Sequence, residues 1–547
     1  MGKKKKASKT VALNETRFKG LRTFLIAAVS LVIFYPPYLQ GLFFEKDVLP
    51  TAIYVFALFI LFCVYKWIKK DYTFFKTPID YAALGFVIVY AISLFTAVHT
   101  RSAIIELMKY CMYFAVFYMI SDLADSMKTR KLFLWIIIAS AMGVSIIGLD
   151  SAIGGNLVRM LNKIFNVFGV QGNMFFGLFV SNRIHSTLQY PNALAAYVMA
   201  VFFITIGLLM TESKVWVKAV CGACAYALFL TFMLTQSAGA LLLFPVVLVF
   251  FFAVSPKGKR INATAHSILP AIPAALISFL VRPDLSETEF SKRAFTIMVT
   301  GLIVSVILSV AVKYIGAFLQ KVNWKVYAAL AVVLIIVIPI GVKVILNASV
   351  PVEISHTADE SNSYKQVSRD IALAPGREYI LSYTADTKMQ EEKPYAYNIR
   401  ISNKNRKNIL FGGVTQIVSQ NIKEATDEEN NIHFVVPEDS NLINIRILNY
   451  YAGTSVTLDN ARIIDPQTVK TVKEVILKNK YNLESNINRI RNIRYDRSGL
   501  TRLIFYQDGI KIFRSYWLFG GGGGAWEYLY RQYQSYNYQS TQAHNYP

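Results

Sequence analysis

Long apolar runs alternate with short polar segments as far as about Asn347, where the pattern changes abruptly. Runs long enough to cross a bilayer as helices, about 20 residues each, fall at about 22–44, 49–68, 78–98, 102–121, 131–153, 193–211, 215–234, 237–254, 264–281, 294–319 and 325–347. They predict about eleven transmembrane helices. Beyond about Val350 the apolar positions shorten and alternate, as in REYILSYTAD, YAYNIRISNK, IHFVVPED and LINIRILNYY, with Gly, Pro, Asn and Asp between them. That period-2 pattern predicts a compact antiparallel β-sandwich reaching about Asp465. A polar helical segment is expected from about Pro466 to Arg494, followed by a surface-lying stretch that ends in the aromatic C-terminus.

Charge orients this arrangement. Lysines and arginines at the N-terminus, at Lys66/Lys69/Lys70/Lys76, Lys128/Arg130/Lys131, Lys214/Lys218, Lys257/Lys259/Arg260 and Lys321/Lys325 fall on alternate loops. Cytoplasmic loops carry such an excess, so the N-terminus is expected inside and the C-terminal region outside. The same orientation places Gly154–Pro191, the turn Gln236–Gly239 and everything after Asn347 on one outer face. Asn156–Val170 has helical apolar spacing and is expected to lie along the membrane surface.

The fold class is therefore a mainly α, polytopic membrane protein with an extracytoplasmic antiparallel β-sandwich. Its expected parts are a basic cytoplasmic tail over 1–21, a transmembrane helical domain over 22–347, the sandwich over 350–465, and an extracytoplasmic helical segment over 466–547. Composition agrees: 54% of the 547 residues are hydrophobic and 17% charged, with mean hydropathy +0.39. A net charge of +23 would suit nucleic acid, but its placement in short loops excludes that partner. Cys63, Cys111, Cys221 and Cys224 all sit in apolar runs, so core packing, not zinc or redox chemistry, is expected of them. The apolar stretch after the basic N-terminus is too long for a signal peptide and contains Pro36 and Pro37, which makes it a retained first span.

Three places carry candidate chemistry. Arg183 precedes the sixth span, whose start is marked by Pro191 and Asn192; it either anchors the span at the headgroups or faces a bound phosphate. Glu106 and Lys109 stand one helical turn apart and are expected to pair. The last thirty-one residues, Trp517 to Pro547, contain five consecutive glycines, Gly520 to Gly524, then an aromatic helical stretch and His544-Asn545. The glycines either form a hinge or turn backbone N–H groups towards an anion, with a helix N-terminus from Ala525 adding to the field. His544 has the proton affinity of a base near neutral pH.

The run from Arg183 through STLQYPNALAAY, TRLIFYQDGIKIF with Arg502 and Asp508, the glycine turn followed by Trp526, and the terminal HNYP share one order and one predicted side. Together they resemble the O-antigen ligase and O-antigen polymerase superfamily over about residues 20–347 and 480–547. The intervening segment is similar to carbohydrate-binding jelly-roll modules, on its strand pattern and LDNARIID. The first resemblance implies transfer of a glycan from a polyprenyl-diphosphate carrier to an acceptor hydroxyl of a glycan or lipid, in the cytoplasmic membrane. It implies His544 as general base, Arg183 and Arg502 as diphosphate ligands, and Asn192, Asn545, Gly521, Gly522 and Gly523 as further substrate contacts.

No cofactor is implied, and the absence of an Asp-x-Asp pair predicts metal-independent transfer. The chain has Ser237-Ala238-Gly239 where the family commonly has Ser-Arg-Gly, so one cation is missing unless Lys343 or Arg502 replaces it. The family also continues with further spans past its His-Asn motif, so Pro547 is expected to be a truncation that puts activity in doubt. Two other readings remain: a transporter or flippase of lipid-linked sugars, and a non-catalytic glycan sensor whose spans serve as an anchor. The first calls for internal repeats and broken midplane helices, the second for binding by residues 350–465 alone.

Overall fold

The computed structural model describes residues 19–167, 176–256, 258–321, 340–341, 343–344, 346–356, 364–480, 492, 495 and 497–540. The chain divides into two compact units, Met1–Trp324 with Gly521–Gly523 and Lys325–Gly520 with Gly524–Pro547.

The first unit is helical. Its apolar runs become α1 (Lys19–Tyr38), α2 (Glu45–Ile68), α3 (Pro78–Ser93), α4 (Thr100–Leu123) and α5 (Met127–Ser151). A shorter helix, α6 (Asn156–Val167), precedes the two-residue strands β1 (Phe179–Val180) and β2 (Arg183–Ile184). Then come α7 (Pro191–Thr211), α8 (Val215–Leu234), α9 (Ala238–Val254), α10 (Arg260–Leu280) and α11 (Lys292–Lys321).

Among the described residues, nine helices are long and apolar enough to cross a membrane. The expected count was eleven. Of the two others, α9 has 17 residues, about 26 Å at 1.5 Å per residue against a hydrocarbon core of about 30 Å. The expected span 325–347 falls largely outside the described residues. Pro36 ends α1 in a 3-10 turn, Pro36–Tyr38, because proline supplies no N–H to continue the ladder.

Two apolar clusters organise the unit. One joins α1, α2 and α4 through Leu25, Val29, Val55, Phe62 and Met119. The other joins α5, α7, α8 and α10 through Ala141, Val198, Phe202, Leu228 and Ala274. Cys221 and Cys224 are buried in α8 as free thiols within this second core, as their apolar surroundings predict.

The two ends of the unit differ chemically. At one end Arg22 pairs with Asp125 at 2.6 Å and Lys131 with Glu212 at 2.5 Å. There too, Lys66, 1% exposed, lies 3.1 Å from Asp122 and 3.3 Å from Asp71. The other end, where α1, α5 and α8 finish and α2, α4, α7 and α9 begin, carries the pairs Arg101–Glu45 at 2.9 Å and Arg293–Asp284 at 3.6 Å together with a layer of hydroxyl and amide side chains.

In the second unit the expected two-sheet sandwich forms. β5 (Lys365–Ile371), β7 (Tyr397–Asn405), β8 (Thr415–Ile422) and β10 (Ser440–Asn449) make one sheet, in the order β5-β10-β7-β8. β6 (Glu378–Met389), β9 (Thr426–Val435), β11 (Thr454–Asp465) and β12 (Lys470–Glu474) make the other, in the order β12-β11-β6-β9, with β4 (Val352–His356) also on β11. All these pairings are antiparallel. Alternate residues of both sheets, including Leu381, Tyr383, Tyr397, Ile399, Ile445 and Leu458, share one apolar core.

Two expectations change here. β12 and the pair β13 (Lys478–Asn479) with β3 (Ser349–Val350) occupy part of the segment expected to be helical from Pro466. β12 pairs along the exposed edge of β11, which removes an unpaired ladder. The sandwich therefore extends past Asp465. Beyond it lie the helices Arg497–Ser515 and Ala525–Tyr533.

Candidate functional site

Arg183 is placed by a hairpin whose two turn residues, Ser181 and Asn182, both have left-handed backbones (φ 52° and 58°). Such turns match the twist of paired strands. The hairpin seats on α5 because Gly148 has no side chain: a Cβ there would lie 2.7 Å from Ile184 Cγ2. Ser186 Oγ then donates to the Val144 carbonyl at 2.6 Å, and Thr187 Oγ1 to the Pro37 carbonyl at 2.8 Å.

Arg183 Nε donates to the Thr235 carbonyl at the end of α8, at 2.8 Å. That bond fixes the plane of the guanidinium. The neighbouring Gln236 returns the tie, with Nε2 donating to the Asn182 carbonyl at 2.6 Å. Ser237 Oγ donates to Asn192 Oδ1 at 2.7 Å, and Asn192 Nδ2 donates to the Tyr190 hydroxyl at 3.1 Å. Asn192 thus fastens the start of α7 to the start of α9. Gln40 Nε2 donates to Gln189 Oε1 at 2.5 Å, which extends the same polar layer to the end of α1.

Among the described residues, seven of the eleven non-glycine residues with positive φ fall here: Gln40, Leu42, Ser181, Asn182, Ser186, Gln189 and Gln236. Each left-handed residue costs about 1–3 kcal/mol unless its surroundings impose it, and the bonds above impose it. His185 is half-buried beside Arg183. Burial, then the Arg183 charge, push its pKa below the ordinary value, which leaves a neutral imidazole beside a cation at neutral pH. The layer offers a fixed guanidinium and the N-termini of α7 and α9, a combination suited to an anion.

Gly521–Gly523 belong to the same helical unit and sit at the start of α4. Val98 N donates to the Gly521 carbonyl at 2.9 Å. Gly522 has φ +84°, and a Cβ on it would stand 2.7 Å from Ala97 Cβ. A Cβ on Gly523 would stand 2.4 Å from Glu106 Cβ. Since α4 runs antiparallel to α5 through a three-residue connection, the glycines lie at the end of the unit that carries Arg183. Their role here is close backbone approach. Glu106 pairs with Lys109 at 2.6 Å, as expected.

In the second unit, Arg502 is half-buried on the helix Arg497–Ser515 and Lys343 is exposed. The centre of that region is Asp508, whose side chain is 0% exposed. It accepts from Lys511 Nζ at 2.8 Å, Ser535 N at 2.9 Å, Ser535 Oγ at 2.6 Å and Tyr538 OH at 2.8 Å. Burial works to raise its pKa, but these donors together hold it below the ordinary carboxylate value.

Of the sequence-predicted residues, Arg183 and Asn192 are brought together, and Gly521, Gly522 and Gly523 share their end of the helical unit. Arg502 belongs to the second unit, and His544 and Asn545 lie outside the described residues. Gln40, Gln189, Thr235 and Gln236 were missed; their signal was the recurrence of amides and hydroxyls where apolar runs stop. No protein-family model and no curated protein matches the chain.

Proposed function

We propose that the chain is a multi-pass membrane glycosyltransferase that moves a glycan from a polyprenyl-diphosphate carrier to an acceptor hydroxyl at the outer face of the cytoplasmic membrane. The observation that carries the reading is the gathering of Arg183 and the Asn192–Ser237 tie at one end of the helical unit. The opposite end holds Arg22, Lys66 and Lys131, and cations of that kind favour the cytoplasmic side.

In the proposed step the acceptor oxygen bonds to the anomeric carbon while the bond from that carbon to the carrier phosphate breaks. His544 takes the hydroxyl proton. Negative charge collects on the departing diphosphate, where Arg183 and Arg502 would oppose it. Loss of one such donor typically costs about 10²–10³ in rate.

The test is transfer of a radiolabelled glycan from its polyprenyl diphosphate in membranes containing the full chain. Arg183→Ala and His544→Ala should each lower transfer at least tenfold. Equal transfer by both variants and the parent protein rules out the mechanism.

A further inference from the structure

We propose that the sandwich carries its own binding site for an acidic saccharide, in a cleft on the outward face of the β5-β10-β7-β8 sheet. This site stands independently of any transferase activity. The cleft holds about 300 Å³ and is lined by Asp370, Lys404, Arg446, Asn492, Tyr495 and Arg497 among others. That volume is at the lower end of ligand sites, about 300–1,000 Å³, and suits one or two sugar rings.

Among the described residues, two polar atoms in this cleft are buried without a hydrogen-bond partner: the donor Arg446 Nε and the acceptor Asn492 Oδ1. Asn492 is 7% exposed, and its other amide atom, Nδ2, is fixed on the Asp370 carbonyl at 2.9 Å. Orphaned groups of this kind cost about 1–3 kcal/mol each, so an occupant that supplies an acceptor and a donor relieves both.

Charge names the acceptor. Arg446 of β10 lies directly opposite Arg400 of β7 in the ladder, and like charges facing each other across strands are destabilising. Arg400 is held by neutral groups, Asn398 Oδ1 at 2.8 Å and Tyr450 OH at 2.7 Å. The nearby carboxylate, Asp370, is committed to Lys404, with both oxygens at 2.8 Å, and to Asn444 at 2.7 Å. Arg446 and the exposed Arg497 therefore face the cleft with no carboxylate to balance them among the described residues. A carboxylate on the ligand would supply it. Asn492 Oδ1 calls for a hydroxyl donor, and Ile409 and Leu442 give the cleft an apolar wall. Carboxylate, hydroxyls and an apolar ring face together describe a uronic acid.

The experiment titrates the detergent-solubilised full chain calorimetrically with oligogalacturonate tetramer, maltotetraose and inorganic phosphate. Saturable binding of the acidic tetramer is expected, at least tenfold tighter than maltotetraose or phosphate. Arg446→Gln and the surface variant Arg497→Gln should each weaken it at least fivefold, and Arg497→Gln leaves the sheet untouched should Arg446→Gln misfold. The proposal is overturned if the tetramer does not bind, if maltotetraose or phosphate binds as tightly, or if Arg497→Gln and folded Arg446→Gln bind unchanged.

Discussion

Replacing Asp508 by alanine removes the acceptor of four hydrogen bonds at once, so its effect follows from geometry. Lys511, Ser535 and Tyr538 would lose a partner that is entirely shielded from solvent. Hydrogen bonds to a charged group contribute about 1.5–3 kcal/mol each, Lys511 is 46% exposed and so adds little, and the bonds are not additive, so the expected loss is about 4 kcal/mol. Asp508→Asn keeps the shape and one acceptor oxygen but places an amide N–H against donors; about 2 kcal/mol is expected.

The assay is amide hydrogen exchange of the Ser535–Tyr538 segment in the full chain, because local opening is the event affected. At 1.4 kcal/mol per tenfold change, exchange should accelerate about a thousandfold in the alanine variant and about thirtyfold in the asparagine variant. The pH dependence has a definite sign. A carboxyl whose folded pKa lies below its unfolded value, about 3.9, contributes fully above that value and loses its contribution as pH falls through the folded one. The parent's protection should therefore fall below pH 4, and that of Asp508→Asn should not. Exchange within about threefold of the parent in both variants would refute the account. Under the proposed function, Asp508→Ala should also slow transfer, since Tyr538 stands six residues before His544.

Other expectations are simpler. Gly522→Ala and Gly523→Ala should each destabilise the helical unit or slow transfer at least tenfold, because the added Cβ meets Ala97 or Glu106. Gly239→Ala, with nothing within 4 Å of the new Cβ, should leave thermal inactivation and transfer unchanged. Gly148→Ala should cost about 1–3 kcal/mol by overpacking, read as a lower inactivation temperature, since the Cβ collides with Ile184 beneath Arg183. In the sandwich, Tyr383 and Tyr397 hydroxyls lie 3.1 Å apart and buried. Either Tyr→Phe change alone should cost about 1–3 kcal/mol, while the double change should be nearly neutral, as read by exchange in β6 and β7.

What the sequence disclosed depended on the range over which each cause acts. Helix existence was legible because twenty apolar residues in a row have few other solutions. β6, β7, β9, β10 and β11 were legible because alternation survives wherever one face meets a core. β12 was missed: KTVKE carries few apolar residues, and its strand state comes from the open edge of β11, a partner distant in folding terms though close in sequence. The same distinction divides the site. Arg183 could be picked out as a cation at the end of an apolar run. Its orientation could not, because it depends on the Thr235 carbonyl 52 residues away and on left-handed glutamines that no propensity predicts. The glycine run was legible as a demand for backbone freedom. What stands opposite could not be read from the run itself: Ala97 and Glu106 lie within 3 Å of where a Cβ on Gly522 or Gly523 would be. Left-handed backbones thus gather where amides and hydroxyls replace apolar side chains and tie distant segments together. Under the proposed function, the layer from Gln40 to Ser237 is the part of the helical unit where substitution should most directly alter transfer.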